Sequence, residues 1–349
     1  MIYVKYIWHL HLSICTNNVT PPGDSQKQKN IICIILLHFV ISDKEKETNK
    51  VKSRFDGPVD SKGFRILKYQ TQDLTKEPEG IVVDILKKNI IYNEGDIIAI
   101  NKPYGLPSHG GPGVKFSVGG LLHQLAESLN DRDNSLQTLH LIHRLDKETT
   151  GVMLLAKRAA VAEELREYFV KRKVVKKYWV ITKGIPDPLE GVIKIPITEG
   201  SLPNGIHRMI LKPEYNKKYW EVMKKRNVEE AQDAITQYKV FKHHQSAALI
   251  ECQPISGIKH QIRCHLGFGL NTPILGDHKY SHFSKLAPQR LPPDMLTSLG
   301  IRASKVRHVP MHLHAKSIVI PEFQNGQNLM VSAKLPKHFL INLRRLKLN

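Results

Sequence analysis

The side chains most able to do chemistry fall in one short run, Leu141-Ile142-His143-Arg144-Leu145-Asp146-Lys147-Glu148-Thr149-Thr150-Gly151. An apolar strand here enters a polar loop that carries an arginine, Arg144, and a carboxylate, Asp146, within three residues. Charged residues at the tip of such a loop usually face solvent or a ligand. Asp146 by itself has two readings. The commoner is a turn or helix cap, because Asp ahead of a hydroxyl-rich stretch accepts backbone N–H bonds. The other is a catalytic carboxylate, acting as nucleophile or general base. The residue types alone leave both open.

Other chemistries are poorly served. His308, His312 and His314 are close in sequence, and the last two alternate on one strand face, but no Asp or Glu stands near enough to complete a ligand set, so no metal is expected. Neither nucleotide-binding pattern, G-x-x-x-x-G-K-[ST] or G-x-G-x-x-G, occurs, and Gly110-Gly111-Pro112-Gly113 lacks the lysine and reads as a turn. No cofactor is implied.

The elements that must position Asp146 follow from periodicity. Order begins near Gly63. Asn89 to Asn101 reads as two strands around the turn Asn93-Glu94-Gly95-Asp96. A helix is expected over Ser117–Leu129, a short strand over Thr138–Ile142, then the polar loop His143–Thr150 and a strand over Gly151–Ala156. Arg158–Lys171 is helical, with Val161, Leu165, Tyr168 and Phe169 on one face, and strand Lys176–Thr182 follows. Ala234–Lys242 and Ser246–Gln253 alternate as strands, Ile258–Phe268 reads as a helix, His312–Ile320 and Asn328–Ala333 as strands, and Pro336–Leu346 as a closing helix. Strands and helices without βαβ regularity make the class α+β, with a long, mixed, largely antiparallel sheet flanked by helices.

Composition narrows the partner. The chain has 349 residues, 41% hydrophobic and 24% charged, the profile of a soluble globular protein. Lys plus Arg number 52 against 32 Asp plus Glu, a net charge of +20, which favours a polyanion such as nucleic acid. Basic runs occur at Lys171, Arg172, Lys173, Lys176 and Lys177, at Lys217 to Arg226, and from Lys334 to Asn349; together they suggest a surface that tracks a phosphate backbone. Residues 1–60 read unlike the rest and are expected to be weakly ordered. Their apolar run Ile31–Ile41 is too short to span a bilayer, so no membrane is implied. The first arginine is Arg54, so no import signal is displayed. The four cysteines, Cys15, Cys33, Cys252 and Cys264, have no zinc or redox spacing and fit free thiols. The Asn18-Val19-Thr20 sequon therefore carries no weight.

The loop decides between the two readings of Asp146 through its company. His-Arg-Leu-Asp followed by Thr-Thr-Gly resembles the active-site motif of the RluA family of pseudouridine synthases. Asn101-Lys102-Pro103-Tyr104-Gly105-Leu106, Lys176-Lys177-Tyr178-Trp179, Ser256-Gly257-Ile258-Lys259-His260-Gln261-Ile262-Arg263-Cys264-His265, Pro273-Ile274-Leu275-Gly276-Asp277 and His312-Leu313-His314-Ala315 are similar to further family motifs, in the family order. The resemblance runs from about residue 80 to 340.

That resemblance implies a pseudouridine synthase fold over residues 61–349 with a central active-site cleft, and a cofactor-free isomerisation of uridine within RNA. It makes Asp146 the catalytic group, Arg263 its counter-charge, and Tyr178 the ring that stacks on the uracil and a candidate acceptor of its C5 proton. Leu313 becomes an apolar wall of the base pocket, and Arg144 the residue that enters the RNA stack when the uridine flips out. Without the family, Tyr178 and Leu313 read simply as core. The implied substrates are organellar ribosomal and transfer RNA, with messenger RNA a further class, in the mitochondrial matrix; nucleus and cytoplasm are the alternative compartments. No obligate protein partner is evident and a monomer is expected. The chain departs from the family at Ile258, where Arg is usual, and at Thr150, where Ser is commoner; no S4-type RNA-binding module precedes residue 80. The rival reading is a non-catalytic RNA-binding protein on a synthase fold.

Overall fold

The structure is a computed structural model that describes residues 58–130, 136–201, 205, 207–212, 224–225, 231–324 and 326–349. Residues 1–57 of the atypical N-terminal segment, with its apolar run, and most of the basic run Lys217–Arg226 lie outside the described residues.

A ten-stranded sheet forms the frame. Its strands are β1 (Ile90–Glu94), β2 (Ile97–Lys102), β3 (His140–Leu141), β4 (Thr150–Ala156), β5 (Val175–Lys183), β6 (Glu190–Lys194), β10 (Ile235–His244), β11 (Ala247–Pro254), β12 (Leu313–Gln324) and β13 (Gln327–Ser332). The order is β1-β2-β4-β12-β5-β11-β10-β6, with β13 beside β12 and β3 beside β4. Only β12 against β4 is parallel, through His314 opposite Thr150 and Ala315 opposite Gly151; every other pair is antiparallel. The expected class, α+β on a mixed and largely antiparallel sheet, is what the chain forms. Among the described residues, β7 (Ile197–Ser201), β8 (His207–Leu211) and β9 (Lys224–Lys225) make a separate small sheet.

The core of the sheet lies where an apolar strand is covered on both faces. β4 is buried at all seven positions, because helices lie on both sides of it. On one side Val82, Val83 and Leu86 of helix α1 (Glu79–Lys88) and Leu122, Leu125 and Ala126 of α2 (Leu122–Leu129) pack with Ile98, Ile100, Met153 and Leu155. On the other, Val161, Ala162 and Leu165 of α3 (Ala159–Val170) pack with Ile97, Ala99, Val152 and Leu154. Farther along, Phe339 and Leu343 of the C-terminal helix Lys337–Arg345 pack with Ile181 and Leu249. Among the described residues, no helix is long and apolar enough to cross a membrane.

Two local expectations change. Thr138–Ile142 pairs only over His140–Leu141, against the end of β4. The helix expected over Ile258–Phe268 begins later, at Gln261, and passes into a π-helical turn at His265–Gly269. Its late start has a cause: the Gln261 side-chain oxygen accepts the Ile258 N–H at 3.2 Å and the Ser256 hydroxyl at 2.8 Å, so the residues before it fold around that amide. The helices Glu79–Lys88 and Pro293–Leu299 and the small sheet were not read from the sequence at all.

Candidate active site

The loop with Arg144 and Asp146 joins β3 to β4, and its backbone is tied down on both sides of the carboxylate. The Ser108 hydroxyl accepts the Leu145 N–H at 2.9 Å and donates to the Leu145 carbonyl at 2.7 Å. Beyond Asp146, the Lys147 carbonyl accepts the Gly105 N–H at 3.0 Å and Lys102 Nζ at 3.2 Å. Lys102 is fully buried and also donates to the carbonyls of Leu106, at 2.7 Å, and Pro103, at 3.1 Å. Burial pushes its ammonium down to about 7, against the opposing pull of Glu148 and Asp146. The Thr149 N–H closes the turn on the Asp146 carbonyl at 3.1 Å.

Two further residues fix where the loop rejoins the sheet. His143 Nε2 accepts the Leu154 N–H at 2.9 Å, and its ring stacks on Phe169 at 4.7 Å. Gly151 has φ +112°, and a Cβ there would lie 2.2 Å from the Ala315 carbonyl oxygen, so only glycine lets β4 start this close to β12.

The side chain of Asp146 points away from these backbone ties. Its Oδ2 lies 3.2 Å from Arg263 Nη1 and 3.5 Å from His260 Nε2, and the carboxylate is about one-seventh exposed, at 15%. The turn is therefore capped by the main chain, and the carboxylate is left for something else. Arg263 is buried and forked onto Asp277, through Nε at 2.7 Å and Nη2 at 3.0 Å. Burial disfavours the guanidinium charge, but Asp277 first and Asp146 second more than offset this and hold the group firmly protonated. Asp277 has no exposed side-chain surface. Burial works against its charge too, but Arg263 and the N–H groups of Tyr280 and Lys279 keep its carboxyl below the ordinary range. The expected pair of Arg263 with Asp146 is thus one arm of a triad in which Asp277 takes the stronger, bidentate arm.

Arg144, Asp146, Tyr178, Ile258, Arg263 and Leu313 all line one cavity of about 790 Å³. Tyr178 and Leu313 reach it from adjacent strands, β5 and β12, which pair at Ala315 opposite Tyr178 and Leu313 opposite Val180. Arg144 is exposed at the mouth. Burial, and then the Asp146 charge, push the Tyr178 phenol well above its ordinary range, so it stays protonated.

The basic runs divide. Arg172 and Lys176 line the cavity. Lys176 is buried and donates to the Ser256 carbonyl at 3.3 Å, while Lys171 pairs with Glu167 at 2.6 Å and Lys177 with Glu251 at 3.0 Å. The run from Lys334 to Asn349 does not line the cavity. His312 and His314 are spent on internal bonds, His312 to the Leu275 carbonyl and Asn342, His314 to the Thr150 hydroxyl and the Ala333 carbonyl. Sequence reasoning assigned no role to His260, Asp277, Ser108 or Lys102. Lys102, His260 and Asp277 lie within segments similar to the family motifs, which was the signal that could have flagged them; Ser108 had none.

A helix-flanked mixed sheet with a carboxylate, a buried arginine and a tyrosine around one cleft defines a class, and comparison with known proteins agrees. A family model described as RNA pseudouridylate synthase matches residues 96–267. The chain belongs to this family, of RluA type, whose members isomerise uridine to pseudouridine in RNA. It is similar to pseudouridylate synthase RPUSD4, mitochondrial, of Rattus norvegicus, 42% identical over 311 residues, covering 88% of this chain and 82% of that protein. The Homo sapiens protein of the same name is 45% identical over 281 residues, covering 80% and 74%. A solved structure of human RNA pseudouridylate synthase domain containing 4 superposes with TM-score 0.67 at 43% identity, covering 77% of this chain and 97% of that one.

Proposed function

We propose that Asp146 is the catalytic carboxylate of this synthase. One observation carries the reading: Asp146 Oδ2 stands 3.2 Å from a buried guanidinium and opens on a cavity that Tyr178 and Leu313 also line. Isomerisation breaks the bond from ribose C1′ to uracil N1, turns the base, joins C1′ to C5, and moves the C5 proton so that N1 ends protonated. A carboxylate can open this sequence in two ways. It attacks C1′ while the glycosidic electron pair leaves with uracil, or it removes the 2′ proton to give a glycal. Both need it ionised, and Arg263 supplies the counter-charge and the orientation.

The other residues fit around that step. Tyr178 offers an aromatic face to the uracil; a phenol held protonated favours stacking over taking up the C5 proton. Leu313 walls the base pocket. Arg144, exposed at the mouth, enters the RNA stack in place of the flipped nucleotide, where its planar cation stacks and bonds phosphate. Residues 61–349 form the catalytic domain. The substrates are mitochondrial ribosomal and transfer RNA, with messenger RNA a further class, and the compartment is the mitochondrial matrix. The family resemblance supports the substrates, and the mitochondrial names of the similar proteins support the compartment.

The test uses RNA tritiated at uridine C5. The protein releases tritium, and Asp146→Ala releases none while binding the RNA equally well. Release by both would remove Asp146 from the chemistry. Release by neither, with binding intact, would make the chain a non-catalytic RNA binder.

A further inference from the structure

We infer that His260 is a positioning residue for Asp146, and that Tyr280 sets which ring nitrogen of His260 carries the proton; the inference rests on Asp146 being the reacting group. The argument is a count of hydrogens. A tyrosine hydroxyl has one proton to donate and lone pairs to accept. Tyr280 Oη accepts the Met209 N–H at 3.1 Å, and its other partner is His260 Nδ1 at 2.7 Å. Among the described residues Nδ1 is the acceptor within reach of that buried hydroxyl proton, and a proton on Nδ1 would leave the O–H unpaired, so Tyr280 donates and Nδ1 accepts. A neutral ring then carries its own proton on Nε2, and Nε2 faces Asp146 Oδ2 at 3.5 Å. A shift of a few tenths of an ångström makes that contact a hydrogen bond.

The surroundings keep this state. His260 is faced by Asp146, Arg263, Lys279, Asp277 and Tyr280. Burial is the largest influence and takes the ring down to about 4, so it is neutral at physiological pH. Tyr280 is buried, which pushes its phenol well up and keeps its proton in place. His260 also has φ 56°, the left-handed region that residues other than glycine seldom adopt, directly before the short helix that carries Arg263. Asp146 thus faces two unlike donors: Arg263, bonded to it, brings charge, and His260, at contact distance, brings direction without adding charge.

The chain of contacts also gives the small sheet a task. Met209 lies on β8, and its neighbour Arg208 donates to the carbonyls of Lys279, at 3.0 Å, and His282, at 2.7 Å. The small sheet thus seats the segment that holds Asp277 and Tyr280, and through Tyr280 it reaches the reacting carboxylate.

The experiment pairs spectroscopy with kinetics. Imidazole nitrogen NMR at pH 7.5 should show His260 as the Nε2–H tautomer, and Tyr280→Phe should shift it toward Nδ1–H. His260→Gln keeps an N–H near the Nε2 position and should turn over about 10- to 100-fold faster than His260→Asn, at similar KM for RNA, the range expected for a hydrogen bond to a charged group. An Nδ1–H tautomer in the unaltered protein, or equal rates for the two His260 variants, would overturn the inference. If those variants do not fold, the tautomer in the unaltered protein and in Tyr280→Phe decides. A tritium-releasing Asp146→Ala would instead strike the reading of Asp146 and leave the tautomer result standing.

Discussion

Residues 144–149 are held by other parts of the chain through their backbone, whereas residues 256–263 are held largely by their own side chains. In the first segment Ser108, Gly105 and Lys102 grip the Leu145 N–H and the carbonyls of Leu145 and Lys147. The side chains of Arg144 and Asp146 are left out of that work. In the second, Gln261 bonds Ser256, Ile258, Thr236 and the Ile235 carbonyl, and Arg263 is bound to Asp277. The two segments meet at Asp146 Oδ2. The side chains proposed to meet the substrate thus sit where the scaffold asks nothing of them, and supporting side chains sit opposite, where removing one is expected to cost structure as well as function.

The contrast can be broken most forcefully at Asp277. Asp277→Ala leaves a buried guanidinium with Asp146 as its remaining carboxylate, and breaking a buried pair this way costs about 3–5 kcal/mol. Urea unfolding should show that loss, together with the disappearance of tritium release. Lys102→Met tests the other segment. Freed from Nζ, the Lys147 carbonyl shifts with the loop and misplaces Asp146, and a displacement of about 1 Å costs on the order of 100-fold in kcat. KM for RNA should hold, because the RNA-facing side chains are untouched; a KM change with steady kcat would refute the positioning role.

Acid should act next to both segments through buried histidines, His143 just before the first and His265 just beyond the second. Burial takes His265 down to about 4 and His143 to about 3, against an ordinary value of 6.5. Below pH 6.5 the unfolded chain takes up protons that the folded chain refuses, so stability is level above 6.5 and falls as the pH drops toward 4. Each such histidine adds up to about 1.4 kcal/mol per pH unit to that slope. Urea titrations of His265→Gln and the unaltered protein between pH 7 and 4.5 should show the smaller slope in the variant. The mildest effect on the fold belongs to Arg144→Ala. Stability should stay within about 0.5 kcal/mol, while the slope of log affinity for RNA against log salt falls by about 1. A large stability loss there would erase the division between holding and reacting side chains.

How far each segment could be read beforehand follows the same division. Arg144 and Asp146 stand out because an arginine and a carboxylate closing an apolar strand are conspicuous, and family resemblance then separates the catalytic from the capping reading. The start of the second segment's helix was misplaced because the amide that delays it, on Gln261, looks like any polar helix residue. Lys102 and Ser108 were unreadable as loop anchors, since their partners are main-chain atoms with no sequence signature.

By itself the sequence determined the strands and helices with strong apolar periodicity, the α+β class with a largely antiparallel sheet, and the loop in which the carboxylate lies. Periodicity is local, and burial on one or both faces writes it into neighbouring residues. Family resemblance implied Arg263 as its counter-charge, but only the tertiary structure decided how Arg263 is shared and what else faces that carboxylate. Arg263 is 117 residues from Asp146 and 14 from Asp277, yet it binds both, and Asp277 takes the fork. His260, in the left-handed region and against Tyr280, faces the same oxygen. Such choices depend on distances of a few tenths of an ångström between segments brought together by packing, and the order of residues along a chain does not encode them one at a time.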